Sequence, residues 1–308
     1  MHAMPERMEP NQAFFTAKNP DKSGTHRIAY YDWGDPAHED VLICVHGLTR
    51  NARDFDFVAQ ELSKDRRVIA IDMPGRGQSD RLENPDHYNY GTYLADCLAF
   101  LDNFHLRRVD WLGTSMGGII GMMMASIHPK RIHRLALNDV GSFVPKEALK
   151  RIMDYVSAAP ASFDSREQAE FTARHSYRSF GLKTDAEWEH IFRHSIVERP
   201  DGTFTLAYDP AILDPVRKET ANFESLNDID LSGLWEKIKA PTLIIRGAES
   251  DLLNEETVSA MRSNHLRAFN VTIPGAGHAP ALYHPSQVGI VADWFRNHEL
   301  GGLRVHGL

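Results

Sequence analysis

Short apolar runs alternate with longer amphipathic segments in the first half of the chain. The runs contain five or six mostly apolar residues, several of them β-branched, which predicts buried strands. The predicted strands cover residues 27–32, 41–46, 67–72, 109–113 and 134–138. The predicted helices between them cover residues 52–63, 88–104 and 116–127. This alternation predicts the α/β fold class, a mostly parallel sheet flanked by helices, with an N-terminal hairpin added at one sheet edge.

The alternation stops between residues 144 and 238, where the pattern becomes helical apart from one hairpin around Asp201 and Gly202. An α/β pattern resumes afterwards, with strands at 241–247 and 268–273 and helices at 255–266 and 287–298. The simplest interpretation of a helical segment inserted between two sheet strands is a cap that covers one edge of the sheet. We therefore predict a core of residues 1–143 and 239–308 and a mainly helical cap of residues 144–238, named here the cap segment.

The cap segment is unusually rich in aromatic residues, and these predict an apolar wall for a substrate pocket. The aromatic residues concerned are Tyr155, Phe163, Phe171, Tyr177, Phe180, Trp188, Phe192 and Trp235.

The strongest chemical signal is a G-x-S-x-G motif between a predicted strand and a predicted helix. Ser115 is its serine, and Gly113 and Gly117 stand two residues before and after it. A serine on so sharp a turn has a strained backbone, and only small residues at these two positions avoid a collision across the turn. The turn exposes the hydroxyl, so we predict that Ser115 is a catalytic nucleophile.

A serine hydroxyl needs a base to take its proton and an acid to orient that base. His278 lies in a Gly-rich loop after the last predicted strand, and Asp251 follows the preceding strand. Both stand at carboxyl ends of strands, where open α/β sheets build their sites. We predict His278 as the base, in preference to His284, and Asp251 as the acid. Glu249 and Asp139 stay open as alternative acids, Asp139 because it too directly follows a strand.

Acyl transfer also requires N–H donors for the oxyanion that forms at the carbonyl. Gly47 allows the backbone after the second predicted strand to bend, so that the N–H of Leu48 can point into the site. The N–H of Met116, directly after the nucleophile, is the second predicted donor. We interpret His46 as a structural residue of this loop.

Five motifs together resemble the α/β-hydrolase superfamily, in its branch with a helical cap, over roughly residues 25–296. The motifs are His46-Gly47, Asp72-Met-Pro-Gly75-Arg-Gly77-Gln-Ser79, Gly113-Thr-Ser115-Met-Gly117-Gly118, Ser250-Asp251 and Gly275-Ala-Gly277-His278. The resemblance implies an eight-stranded sheet, the chain order nucleophile, acid and histidine, and a cap that shapes the pocket.

The nucleophile distinguishes between branches of this superfamily. Dehalogenases and epoxide hydrolases use an aspartate where this chain has Ser115. Carbon–carbon bond hydrolases of meta-cleavage products typically carry Asn before the serine and Trp after the histidine, where this chain has Thr114 and Ala279. The resemblance therefore implies a serine carboxylesterase acting on small hydrophobic esters through an acyl-enzyme. A carbon–carbon bond hydrolase and a slow-turnover ligand receptor stay open as alternatives.

Charge and composition argue against other partners. The net charge is −8 and the basic residues are scattered, so we expect no nucleic-acid partner. The two cysteines give no disulfide framework, residues 1–12 lack the apolar stretch of a secretory signal, and the longest apolar stretch is too short to cross a bilayer. We expect a cytoplasmic protein without a membrane span. Oligomeric state is not indicated.

No cofactor or metal is predicted. Residues 74–79 are glycine-rich but lack the Gly-Lys-Ser/Thr ending of a phosphate-binding loop and the third glycine of a dinucleotide site. His190 and His194 are four residues apart and would share a helix face, yet Ile191 stands where a zinc-protease motif requires Glu. We interpret them as two solvent-facing histidines.

Overall fold

An eight-stranded sheet forms the centre of the molecule in the computed structural model, which describes residues 9–219 and 225–297. The strands, numbered along the chain, are β1 (Asn11–Lys18), β2 (Thr25–Trp33), β3 (Val41–Val45), β4 (Arg67–Ile71), β5 (Val109–Thr114), β6 (Ile132–Asn138), β7 (Phe143–Val144), β8 (Ile196–Glu198), β9 (Phe204–Leu206), β10 (Ile229–Asp230), β11 (Thr242–Gly247) and β12 (Ala268–Ile273). The central sheet has the order β1-β2-β4-β3-β5-β6-β11-β12.

Six strands of this sheet run parallel to one another, namely β4, β3, β5, β6, β11 and β12. The other two, β1 and β2, form an antiparallel hairpin at one edge of the sheet. The helices are α1 (Asp56–Leu62), α2 (Tyr90–Asn103), α3 (Met116–Ile127), α4 (Lys146–Ala158), α5 (Arg166–Ser176), α6 (Asp185–Ser195), α7 (Asp214–Glu219), α8 (Ser232–Trp235), α9 (Glu255–Ser263) and α10 (Pro285–Arg296). The prediction of an α/β fold with an eight-stranded, mostly parallel sheet is confirmed.

Helices cover both faces of the sheet because its central strands are apolar on both sides. Within β3, Ile43 packs into the cluster on one face and Leu42 into the cluster on the other. Residues of α2, α3 and α9 belong to the first cluster, and residues of α1 and α10 to the second. A strand buried on both faces is a near-continuous apolar run, and this is the pattern from which the strands were predicted.

The chain leaves the sheet after β6 and returns at β11, although these two strands are hydrogen-bonded neighbours. The intervening residues form α4 to α8 and two small two-stranded sheets, β10 with β7 and β8 with β9. The β8–β9 pair is the hairpin predicted around Gly202. The predicted helix at 52–63 is divided into a 3₁₀ turn, Ala52–Phe55, and α1.

The structure bears on two of the three expectations about cysteines, membrane spans and a secretory signal. Cys44 and Cys97 are buried free thiols in a strand and a helix, as predicted. Within residues 9–219 and 225–297, none of the helices combines the length and apolar character that crossing a bilayer requires. Residues 1–8, on which the expectation about a secretory signal partly depends, lie outside the described residues.

Candidate active site

Ser115 occupies a sharp turn between β5 and α3. Its backbone has φ 50° and ψ −112°, a strained conformation for a residue other than glycine. A Cβ on Gly113 would lie 2.2 Å from the carbonyl oxygen of Gly117, and a Cβ on Gly117 would lie 2.0 Å from the carbonyl oxygen of Val45. Backbone atoms therefore leave no space for a larger residue at either position.

His278 and Ser115 are in hydrogen-bond contact. The distance from Ser115 Oγ to His278 Nε2 is 3.1 Å, although the two residues are 163 positions apart. His278 is buried in the loop after β12. This loop passes close to the loop after β11, since a Cβ on Gly247 would lie 2.0 Å from the carbonyl oxygen of Gly277. The glycines at 247 and 277 thus permit the approach that brings the imidazole to the serine.

Asp139 lies on the other side of the imidazole. Its Oδ2 accepts from His278 Nδ1 at 2.8 Å, from the Ser250 hydroxyl at 2.6 Å and from the Ala279 N–H at 3.2 Å, while Oδ1 accepts from the Gly247 N–H at 2.8 Å. The carboxylate is fully buried, and each of its two oxygens accepts from at least one of these donors. Because His278 donates through Nδ1, its Nε2 is the acceptor for the Ser115 hydroxyl.

The prediction that Asp251 orients His278 is wrong in this structure. The Asp251 side chain is about half exposed, and both its oxygens accept from Arg151 in α4, with Nη2 to Oδ1 at 2.7 Å. The reason lies in the turn after β11, which directs the Ser250 hydroxyl to Asp139 and the next side chain outwards. Glu249 is exposed, and His284 caps the N-terminus of α10.

The predicted oxyanion donors Leu48 and Met116 both line the cavity that contains Ser115. Among the hydrogen bonds of the described residues, none uses the backbone N–H of either. Arg76 contacts both residues, because Nε donates to the Leu48 carbonyl at 2.9 Å and Nη2 lies 3.7 Å from the Met116 sulfur. The guanidinium therefore links the Leu48 backbone to the Met116 side chain. Sequence reasoning attributed no such role to Arg76, which lay within a turn motif.

His46 is a buried connector between two loops. Its Nδ1 donates to the Gly47 carbonyl at 2.7 Å, and its Nε2 accepts from the Met73 N–H at 2.9 Å. Burial lowers the pKa of His46 to about 3, so the ring is neutral at physiological pH. These contacts agree with the structural role predicted for it.

A cavity of about 490 Å³ opens onto Ser115 and His278 between the sheet and the cap segment. Aliphatic side chains form much of its wall, among them Ile119, Val140, Leu149 and Ile152. Its polar lining includes Arg50, which is buried and already paired with Asp54 and the Ser195 hydroxyl. The volume is in the range of pockets for small organic molecules.

The aromatic residues of the cap segment mostly do not form this wall. Of the eight named above, Tyr155 and Phe180 line the cavity. Trp188 and Phe192 instead pack against each other and against the guanidinium of Arg174 in α5. Their burial therefore stabilises the cap segment itself, and the prediction of an aromatic wall is only partly correct.

His190 and His194 do not form a solvent-facing pair. His190 is buried, and its Nε2 donates to the Arg53 carbonyl at 2.9 Å. Ligand atoms of Asp56, His190 and His194 lie within 4.8 Å of one another. The Arg53 guanidinium, however, already binds the Asp56 carboxylate, with Nε 2.9 Å from both oxygens, and its charge opposes a cation. The absence of a metal from this protein stays a prediction.

The chain is similar in sequence to a known protein family and to a known enzyme. Residues 40–285 match the alpha/beta hydrolase fold family. The chain is 38% identical to the 3-hydroxybutyrate-oligomer hydrolase of Cupriavidus necator over 277 residues, which are 89% of this chain and 94% of that protein.

Two solved structures are also similar. One, described as a candidate hydrolase from Rickettsia typhi, superposes with a TM-score of 0.84 at 34% identity. The other, an alpha/beta hydrolase from Novosphingobium aromaticivorans, superposes with a TM-score of 0.81 at 31% identity. Each comparison covers 93% of this chain and 98% of the other.

Proposed function

Because this chain belongs to the α/β-hydrolase fold family, we propose that it is a serine hydrolase of carboxylic esters, with Ser115 as nucleophile, His278 as base and Asp139 as orienting acid. The observation that carries the proposal is the unbroken series of contacts from Ser115 Oγ to His278 Nε2, at 3.1 Å, and from His278 Nδ1 to Asp139 Oδ2, at 2.8 Å. Such a series makes a hydroxyl nucleophilic at neutral pH.

Acylation begins when Ser115 Oγ attacks the ester carbonyl and His278 Nε2 takes the hydroxyl proton. The buried Asp139 carboxylate stabilises the imidazolium that results. The N–H groups of Leu48 and Met116 bind the oxyanion of the tetrahedral intermediate. When the intermediate collapses, the bond to the alcohol breaks, His278 returns the proton to the leaving oxygen, and an acyl-enzyme remains.

Deacylation repeats these steps with water. His278 takes a proton from the water as its oxygen attacks the acyl carbonyl, and the proton then passes to Ser115 Oγ as the carboxylic acid leaves. His278 accepts and then returns a proton in both half-reactions, so the same residues serve acylation and deacylation.

We infer that the substrates are oligomers of 3-hydroxybutyrate, or short esters closely related to them. Similarity to the Cupriavidus necator hydrolase extends over 89% of this chain and supports this class. The aliphatic wall of the cavity suits the methyl branches of such a chain.

Hydrolysis of 4-nitrophenyl butyrate by wild type and by Ser115→Ala tests the proposal. Wild type turns the ester over and is labelled by a fluorophosphonate probe, whereas the variant is unlabelled and its kcat is lower by on the order of 10⁶-fold. Ser126→Ala is a matched control, because Ser126 is a buried serine at the far end of α3 and its hydroxyl has no hydrogen-bond partner in the described part of the chain. We expect this control to retain full activity.

Three results would contradict the proposal. Ester hydrolysis that survives in Ser115→Ala would exclude Ser115 as the nucleophile. Cleavage of a meta-cleavage product without any ester hydrolysis would favour a carbon–carbon bond hydrolase. Stoichiometric ligand binding without turnover would favour a receptor on this fold.

A further inference from the structure

Two tyrosine hydroxyls at the cavity have no hydrogen-bond partner among the residues that the structure describes. Tyr90 begins α2 and Tyr155 lies in α4, and both line the cavity that contains Ser115 and His278. Neither hydroxyl makes a hydrogen bond with any of the residues 9–219 and 225–297. Each residue is half-buried, because one side of it faces the cavity.

Two of the other tyrosines that line the same cavity have protein partners for their hydroxyls. The Tyr88 hydroxyl accepts from the Leu82 N–H and donates to Asp209, both at 2.8 Å. The Tyr93 hydroxyl accepts from Arg76 at 2.8 Å. The hydroxyls of Tyr88 and Tyr93 therefore have a structural role within the protein, and no such role accounts for the hydroxyls of Tyr90 and Tyr155.

When a substrate fills the cavity, it displaces water from these two hydroxyls, and a hydroxyl that then finds no acceptor loses its hydrogen bonds. Phenylalanine would fill nearly the same volume at these positions without that loss. Surrounding protein also raises the pKa of Tyr90 and Tyr155, so both remain protonated and able to donate at any physiological pH. A ligand that brings acceptors into the cavity would satisfy both groups.

We propose that Tyr90 and Tyr155 are specificity residues whose hydroxyls donate hydrogen bonds to ester carbonyl oxygens of the substrate other than the carbonyl under attack. This inference rests on the proposed function, in which the N–H groups of Leu48 and Met116 serve the attacked carbonyl. A simple monoester has only that one carbonyl. Each further repeat of a hydroxyalkanoate oligomer brings another, so the two tyrosines would select substrates with several ester groups.

The test compares two substrates. The first is the methyl ester of the linear 3-hydroxybutyrate trimer, which carries three ester carbonyls. The second is 4-nitrophenyl 3-methylhexanoate, which keeps a branched acyl chain but carries one. Tyr90→Phe and Tyr155→Phe should each lower kcat/KM for the trimer roughly five-fold, mainly through KM, and change it less than about two-fold for the monoester. The double variant should lose roughly the product of the two effects.

Thermal unfolding separates binding from structure. The Tm of both variants should equal or exceed that of wild type, because no protein hydrogen bond is lost. Tyr93→Phe is the matched control, since it removes the hydroxyl that accepts from Arg76. This control should lower the Tm and leave the ratio of kcat/KM for the two substrates unchanged.

Two outcomes would overturn the inference and leave the assignment of Ser115, His278 and Asp139 to ester hydrolysis intact, although the second would also contradict the oligomeric substrates inferred above. In one, Tyr90→Phe and Tyr155→Phe affect trimer and monoester equally or not at all. In the other, wild type hydrolyses the monoester but not the trimer. A failure of the proposed function can be distinguished from these outcomes, because Ser115→Ala would then retain ester hydrolysis.

Discussion

Asp139 Oδ2 lies 2.8 Å from His278 Nδ1, although the two residues are 139 positions apart in the chain. They meet because β6 and β11 are neighbours in the sheet and β12 follows β11, so the loops at the carboxyl ends of these strands converge. Asp139 has φ 56°, a left-handed conformation that aspartate tolerates better than most residues. This turn directs the carboxylate towards the imidazole.

Replacing each of the two candidate orienting carboxylates by its amide should affect activity very differently. Asp139→Asn should lower kcat for ester hydrolysis by on the order of 10³- to 10⁴-fold, because the histidine loses the charge that orients it and stabilises its cation. Asp251→Asn should change kcat less than about three-fold, since its carboxylate is half exposed and paired with Arg151. Steady-state kinetics of both variants, with circular dichroism to verify folding, measures this difference. A large loss in Asp251→Asn with a small one in Asp139→Asn would reverse the assignment.

Alanine substitution at two helical glycines should change stability in opposite directions. In Gly117→Ala the new Cβ would lie 2.0 Å from the Val45 carbonyl oxygen and 2.9 Å from that of His46, so backbone must move. We expect a loss of at least about 3 kcal/mol in the free energy of unfolding. Gly289→Ala in α10 meets nothing within 4 Å and should gain about 0.5–1 kcal/mol. Urea titration measures both, and a neutral Gly117→Ala would show that the turn is less tightly packed than described.

His46 should make stability depend on pH in the acid range. Burial lowers its pKa to about 3 in the folded protein, whereas the unfolded chain has the ordinary value of about 6.5. The stability contributed by the neutral ring is therefore complete above about pH 6.5. It is lost as the pH falls below that value, because the unfolded state then binds a proton that the folded state does not.

This dependence is measurable against a variant without the imidazole. Between pH 6 and pH 5, urea unfolding of wild type should show a loss of up to about 1.4 kcal/mol more than His46→Asn shows. Other titrating groups are common to both proteins and cancel in the difference. Parallel pH profiles for the two proteins would contradict the lowered pKa.

Several features could be predicted from the sequence because their causes are local. The strands read as apolar runs since both sheet faces are covered, and Leu42 and Ile43 are buried on opposite sides. The Ser115 turn could be located because its backbone geometry excludes every residue but glycine two positions before and after it. Both signals are contained within a few consecutive residues.

The acid could not be chosen in this way. Asp139 and Asp251 each follow a strand end, so local pattern describes them equally well. The choice depends on the path of each turn, which sends the Asp139 side chain into the sheet edge and the Asp251 side chain towards Arg151 of the cap segment. Likewise, helical spacing places His190 and His194 on one face, but it does not say that this face packs on Arg53.

By itself, the sequence determined the fold class and located the serine and the histidine that we propose as nucleophile and base, because strand burial and tight turns impose strict local requirements on residue type. Only the tertiary structure decided which carboxylate reaches that histidine, which side chains form the cavity wall, and which tyrosines are left without partners. These properties depend on distances between segments far apart in the chain, and such distances are set by packing of the whole molecule and leave no local pattern.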